Sequence, residues 1–101
     1  MAKKEIVTKV IDGDTFETNI RKHPVRIANI DTPEKRQPGY QKAKKELSDL
    51  ILGKKVSVDT VARDVYNRAV AKVKIGRISV NKKMKEFNKW LNIRVFVMSI
   101  A

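Results

Sequence analysis

The chain has 101 residues, of which 23 are lysine or arginine and 11 are aspartate or glutamate, for a formal charge of +12 with 42% hydrophobic content. That composition excludes a disordered tract as the default and directs the surface toward a polyanion, nucleic acid first among the candidates. With no cysteine there is neither a disulfide framework nor a thiolate metal site, and no run reaches the ~18 apolar residues needed to span a bilayer. The start, MAKKEIVTKV, lacks the apolar stretch of a secretory signal. The expectation is one soluble domain over 1–101 without a membrane partner, with cytoplasmic and secreted mature forms both open.

In chain order, Glu5 to Ile11 is rich in β-branched residues and stops at Asp12-Gly13, a hairpin signal. Thr15 to Ile20 and Val25 to Ile30 are two further strands separated by Arg21-Lys22-His23-Pro24, whose proline belongs in a connection. From Tyr40 the period changes: Tyr40, Ala43, Leu47, Leu50 and Ile51 share one helical face, and Gly53 ends the helix. Lys55 to Thr60 and Ala69 to Ile75 are strands, and Gly76-Arg77 turns the chain into a short segment at Ile78 to Val80. Val80, Met84 and Phe87 then recur at helical spacing, with Asn88 as the cap of a short second helix, and Leu91 to Ala101 reads as a tail strand. Three strands, a helix and two strands is the order of the mainly β, five-stranded OB-type Greek-key barrel, a fold much used to bind oligonucleotides.

Each acidic stretch has a structural explanation of its own. Asp12-Gly13 makes a turn, and Asp31-Thr32-Pro33-Glu34 can start a helix with Asp31 or Thr32 as N-cap. Together they ask for more, because Asp14 just past the first turn and Asp31 at a strand end can face one rim of a barrel. Carboxylates with a backbone carbonyl and waters suit a hard ion such as calcium or magnesium, whereas a lone His23 argues against a dedicated zinc site. Phosphodiester hydrolysis needs a base for water and cations for the phosphoryl oxygens: Glu34 is a candidate base, and Arg26 and Arg68 are candidate clamps. Strict alternation puts Arg26 and Asp31 on opposite strand faces, so their convergence requires a bulge or turn near Asn29 or Ile30. Tyr66, two residues before Arg68, is placed to stack on a base or bond a phosphate, although an isolated tyrosine is more often a partly buried packing residue. The basic cluster Lys35, Arg36, Lys42, Lys44 and Lys45 reads as a solvated helix face.

The segments VIDGDTF at 10–16, VRIANIDTPE at 25–34 and DVYNRAVAKV at 64–73 together resemble the staphylococcal nuclease (thermonuclease) family, over about residues 5–98. The resemblance implies an OB-type barrel carrying a calcium-dependent phosphodiesterase, an endonuclease that cleaves DNA and RNA with little sequence preference and leaves 3′-phosphates. Matched position by position, it implies Asp14 and Asp31 as metal carboxylates, Thr32 as donor of a backbone carbonyl, Glu34 as general base, Arg26 and Arg68 as phosphate contacts and Tyr66 as a nucleotide contact. Calcium is the expected ion, magnesium the second choice, and single strands the preferred substrate. The chain departs from the family where Val65 replaces a lysine and where Arg94 and Phe96 stand for tyrosines. It also ends before the family's final helix, which leaves a monomer or a tail-mediated dimer as expectations. The alternative function is a non-catalytic OB module that binds strands through charge and stacking.

Overall fold

The first three strands form the expected antiparallel meander in a computed structural model that describes residues 3–100, with the side chains of residues 4–91. β1 (Lys3–Asp12) turns into β2 (Thr15–Thr18), and β3 (Val25–Ile27) lies antiparallel to β2. The register of β1 slips between Val7 and Lys9 and again between Val10 and Asp12. Such bulges coil a strand and shift its facing, which is how Val7 and Val10, an odd interval apart, are both buried.

β4 (Lys55–Arg63) pairs with β1 on one side and with β5 (Ala69–Ile75) on the other. The sheet then closes on itself through a parallel pairing of β3 with β5, Val25 opposite Ala69, Arg26 opposite Val70 and Ile27 opposite Ala71. The cycle β1-β2-β3-β5-β4 is an OB-type barrel, and β6 (Ile78–Ser79) folds back onto β5 through Gly76-Arg77. Phe16, Val25, Ile27, Val56, Val58 and Val73 fill the interior with almost no exposure, each such side chain contributing about 1.5–3 kcal/mol.

Helix α1 (Tyr40–Ile51) buries Tyr40, Ala43, Leu47 and Ile51 along one stripe, the face that the sequence spacing predicts. It starts at Tyr40, not at Asp31 or Thr32, so the helix-start reading of residues 31–34 is overturned: these four residues lie outside any helix. Pro38-Gly39 sets the boundary instead, Gly39 adopting a left-handed φ of 87°.

The tail departs from expectation. Helix α2 runs from Val80 to Ile100 without a break, so there is neither a short second helix nor a tail strand. The physical reason is that the apolar spacing does not stop at Asn88: Val80, Met84 and Leu91 are all buried, and Asn88 is buried inside the helix rather than capping it. Leu91 packs against Gly39, so tightly that a Cβ added to the glycine would lie 2.7 Å from a Leu91 methyl. This packing outweighs the β-propensity of the sequence after it. Arg94 and Phe96 thus fall on a helix, and their side chains lie outside the described residues. No helix among the described residues is long and apolar enough to cross a membrane.

Two polar devices lock the barrel. Asn81, at the start of α2, donates its amide to the Ala28 and Ala71 carbonyls at 2.9 and 3.2 Å and accepts from the Val73 N–H at 2.7 Å, bridging the β3–β5 seam. At the other side Glu5, 1% exposed, accepts the Arg21 guanidinium in a two-pronged pair at 2.7 and 2.8 Å and the Thr18 hydroxyl at 2.7 Å. A buried carboxylate is tolerable only when paired in this way, and removing one partner leaves the other charge uncompensated. Arg21→Met is accordingly expected to lower stability by about 3 kcal/mol, read as a reduced urea midpoint at unchanged slope.

Candidate functional site

The β1–β2 turn, the end of β3 and the start of α1 meet at one end of the barrel. Gly13 makes the meeting possible, for a reason different from the one its sequence context offered. Its φ is not among the positive values. What matters is space, since a Cβ there would sit 2.8 Å from the Ala43 Cβ and 3.4 Å from the Thr32 Cβ. Lacking that atom, the turn seats against α1 and brings Asp12 and Asp14 beside the segment that carries Asp31 and Thr32.

The second requirement is the bend after β3. Asn29 takes a left-handed φ of 60°, a conformation asparagine tolerates better than most residues, and the chain turns at Ala28–Asn29. This is the irregularity that the alternation argument demanded near Asn29. It carries Asp31 to the cleft already lined by Arg26.

The result is a cleft of about 680 Å³. Asp14, Arg26, Asp31, Thr32, Glu34 and Arg68 all line it, so six of the seven site residues expected from sequence come together. Tyr66 does not line the cleft. It stands 74% exposed on the loop between β4 and β5, with the Arg68 guanidinium 5.2 Å from its ring centre. Sequence reasoning missed Asp12 and Lys9 as lining residues, and it assigned Tyr40 to packing and Lys35 and Lys44 to a solvated face, although all five line the cleft. Lys45 does behave as a surface residue, pairing with Asp49 one helical turn away.

Hydrogen bonds fix the acids. Asp14 accepts the Thr15 hydroxyl at 2.8 Å, its backbone carbonyl accepts the Ile27 N–H at 2.7 Å, and its second carboxylate oxygen lies 3.5 Å from Arg26 Nε. Tyr40 donates its hydroxyl to Asp12 at 2.6 Å. That bond first, then burial and the charges of Asp12 and Asp14, push the Tyr40 phenol above its ordinary 10.0, so it remains a donor at neutral pH. Glu34 is exposed on the cleft wall, with its backbone held by Gln37: the Glu34 N–H donates to the Gln37 side chain at 2.7 Å and the Gln37 N–H donates to the Glu34 carbonyl at 2.9 Å.

Arg68 is held by a residue that sequence reading passed over. Asp64 accepts Arg68 Nε at 2.7 Å, the Arg68 N–H at 2.9 Å and the Tyr66 N–H at 3.0 Å, closing the loop between β4 and β5 into one tight unit. The signal was available, because an aspartate followed by Asn67 and Arg68 is the pattern of a side-chain-capped turn. Burial works to raise the Asp64 carboxyl, but the Arg68 and Tyr66 hydrogen bonds and the Arg68 charge outweigh it and hold the group below its ordinary 3.8.

The family model described as "Staphylococcal nuclease homologue" matches residues 24–87, the segment that contains Arg26, Asp31, Thr32, Glu34 and Arg68. The chain belongs to the staphylococcal nuclease homologue family. Within it, the chain is 40% identical over 81 residues to an "Uncharacterized endonuclease" of Haemophilus influenzae, covering 77% of this chain and 46% of that protein. It is 38% identical over 69 residues to "Protein ParB" of Escherichia coli, covering 66% of this chain and 39% of that protein. It is also 32% identical over 69 residues to a "Micrococcal nuclease" of Shigella flexneri, covering 66% and 40%. This staphylococcal nuclease homologue thus spans less than half the length of each of these relatives.

A cation in this homologue would meet oxygen donors alone. Among the described residues no three acidic or histidine side chains gather as a ready ligand set, and the acids that line the cleft are Asp12, Asp14, Asp31 and Glu34. That donor chemistry fits a hard ion, which takes carboxylate, carbonyl and water oxygens and keeps exchangeable positions.

Two outcomes test the site's construction. Gly13→Ala should destabilise by about 1–3 kcal/mol through overpacking, and Gly13→Ala with Ala43→Gly should be more stable than the sum of the two single effects, measured as a double-mutant cycle in urea. The Asp64 contribution should be fully present above the ordinary carboxyl value of 3.8 and lost as pH falls through its lower folded value. The stability gap between wild type and Asp64→Asn should therefore be flat near neutrality and close in acid, read from denaturation at stepped pH.

Proposed function

We propose that this barrel is the catalytic unit of a metal-dependent nuclease that hydrolyses phosphodiester bonds of DNA and RNA without selecting the sugar, acts preferentially on single strands and leaves 3′-phosphates. The observation that carries the reading is that a cleft of about 680 Å³ gathers two arginines with Asp14, Asp31 and Glu34. Each guanidinium faces a carboxylate through its Nε, Arg26 at 3.5 Å from Asp14 and Arg68 at 2.7 Å from Asp64, which leaves the terminal nitrogens for phosphoryl oxygens. Family membership and relatives named as nucleases support the same reading.

In this mechanism Glu34 accepts a proton from water as the water oxygen bonds to phosphorus. The bond from phosphorus to the 5′ oxygen breaks, giving a 3′-phosphate and a 5′-hydroxyl that takes its proton from solvent. Arg26 and Arg68 hold the phosphoryl oxygens from preset positions, so little reorganisation accompanies the growth of charge. Asp14, Asp31 and the Thr32 carbonyl would hold a divalent cation, calcium by family resemblance, which when bound supplies further charge neutralisation. Tyr66, exposed beside Arg68, offers a ring face on which a neighbouring base stacks.

Release of acid-soluble product from single-stranded DNA and RNA tests the proposal. Cleavage should require calcium, stop with chelator and collapse in Glu34→Gln, while Arg26→Ala and Arg68→Ala should each lose on the order of 10² in turnover. If wild type and Glu34→Gln are equally inert yet both bind the strand, the barrel is a binding module and the catalytic reading fails.

A further inference from the structure

A second charged concavity lies on the far side of the Ala28–Asn29 turn. On β5, Lys72 and Lys74 point outward in alternation with buried Ala71 and Val73. On α2, Lys82 and Lys85 are three residues apart and so share a helix face. The two periods bring all four lysines around a pocket of about 290 Å³, with Asn29 and Asn81 in its wall. No acid lines this pocket, and none of the four lysines makes an ion pair among the described residues.

Four unpaired ammonium groups around one pocket repel one another and focus a positive potential there. Among the described residues four cations make ion pairs, Arg21 with Glu5, Arg26 with Asp14, Lys45 with Asp49 and Arg68 with Asp64. No such pair is made at the lysine pocket, where the nearest acid in register is the exposed Asp59 opposite Lys72 on the neighbouring strand, and point charges on flexible stems suit successive phosphates of a strand better than one fixed anion. Its position also matters. Ala28 and Asn29 line the pocket, whereas Arg26 and Asp31, two residues to either side of that turn, line the cleft. Two residues of chain reach at most about 7 Å, so the backbone that edges one site is continuous with the backbone that edges the other, close enough for one strand on an OB barrel to touch both.

We propose that Lys72, Lys74, Lys82 and Lys85 form a second, non-catalytic contact for the phosphodiester backbone, holding the strand as it crosses the Ala28–Asn29 turn from the cleft. The proposal rests on the nuclease reading for its substrate class. It extends that reading by giving the strand a path beyond the reacting phosphate.

The test measures binding of a fluorescent oligothymidylate of about 20 nucleotides, long enough to cover both sites, across a salt series in a Glu34→Gln background. Adding Lys72→Gln, Lys74→Gln, Lys82→Gln and Lys85→Gln should make the slope of log K against log salt shallower by about 0.7 per lysine engaged, roughly 2–3 in all. A control that changes four exposed lysines outside both concavities, Lys22→Gln, Lys42→Gln, Lys54→Gln and Lys55→Gln, should leave the slope as it was. An unchanged slope in the first variant, or an equal loss in both, overturns the proposal. Because the readout is binding, absence of cleavage by the wild-type chain would defeat the nuclease reading alone and would still leave the slopes to decide on the lysine pocket.

Discussion

Everything at the candidate site depends on the parallel seam between β3 and β5. A hairpin could place Arg26 beside Asp14, because β2 and β3 are local neighbours and Thr15 pairs with Arg26. No local contact could bring Arg68 to the same cleft, since more than forty residues of chain separate the two arginines. The pairing of Val25 with Ala69 does so, and Asn81 then holds the seam with three hydrogen bonds from outside the ladder. A non-local contact of this kind is entropically expensive to form. Its stabilisation comes from closing the barrel over a core whose central side chains are all but sealed from water.

Charge is distributed by the same logic. In a chain of +12, Asp12, Asp14, Asp31 and Glu34 all line one cleft together with Arg26 and Arg68. Self-repulsion among the cations would otherwise spread them, and Asp14 and Asp64 set Arg26 and Arg68 in place. Asp64 shows this in its purest form, for every hydrogen bond it accepts comes from its own loop. Glu5 shows the opposite use, a carboxylate spent wholly on the fold.

How much of this was legible in the sequence follows from the range of the interactions involved. Local periodicity was enough for α1, for β5 at Ala69–Ile75 and for the Gly76-Arg77 turn, because each depends on its own residues. The bend near Asn29 was legible too, as a demand that alternation made on the chain once Arg26 and Asp31 were required to converge. The rest depends on distant partners. Gly13 is small because Ala43 and Thr32 approach it, and no local pattern announces that approach. β4 runs on from Thr60 to Arg63 although its last residues are exposed, since pairing with β5 and not burial sustains it. The tail is helical where its composition favours strand, a case of packing at Leu91 overriding propensity.

Backbone strain marks the same region that charge does. Among the described residues, the non-glycine positions with positive φ are Asn29, Arg36 and Asn67. Asn29 lies two residues before Asp31, Arg36 two after Glu34, and Asn67 directly before Arg68. Each left-handed residue carries a penalty of about 1–2 kcal/mol, less for asparagine, and a fold that could avoid three of them would be more stable for it. Each lies within two residues of a side chain that lines the cleft, Asn29 near Asp31, Arg36 near Glu34 and Asn67 beside Arg68. Hydrogen bonds then hold the strained turns: Asp64 closes the loop around Asn67, and Gln37 closes the turn around Arg36. The three left-handed residues thus fall in turns that have the cleft in common, and the hydrogen bonds of Asp64 and Gln37 offset part of their cost.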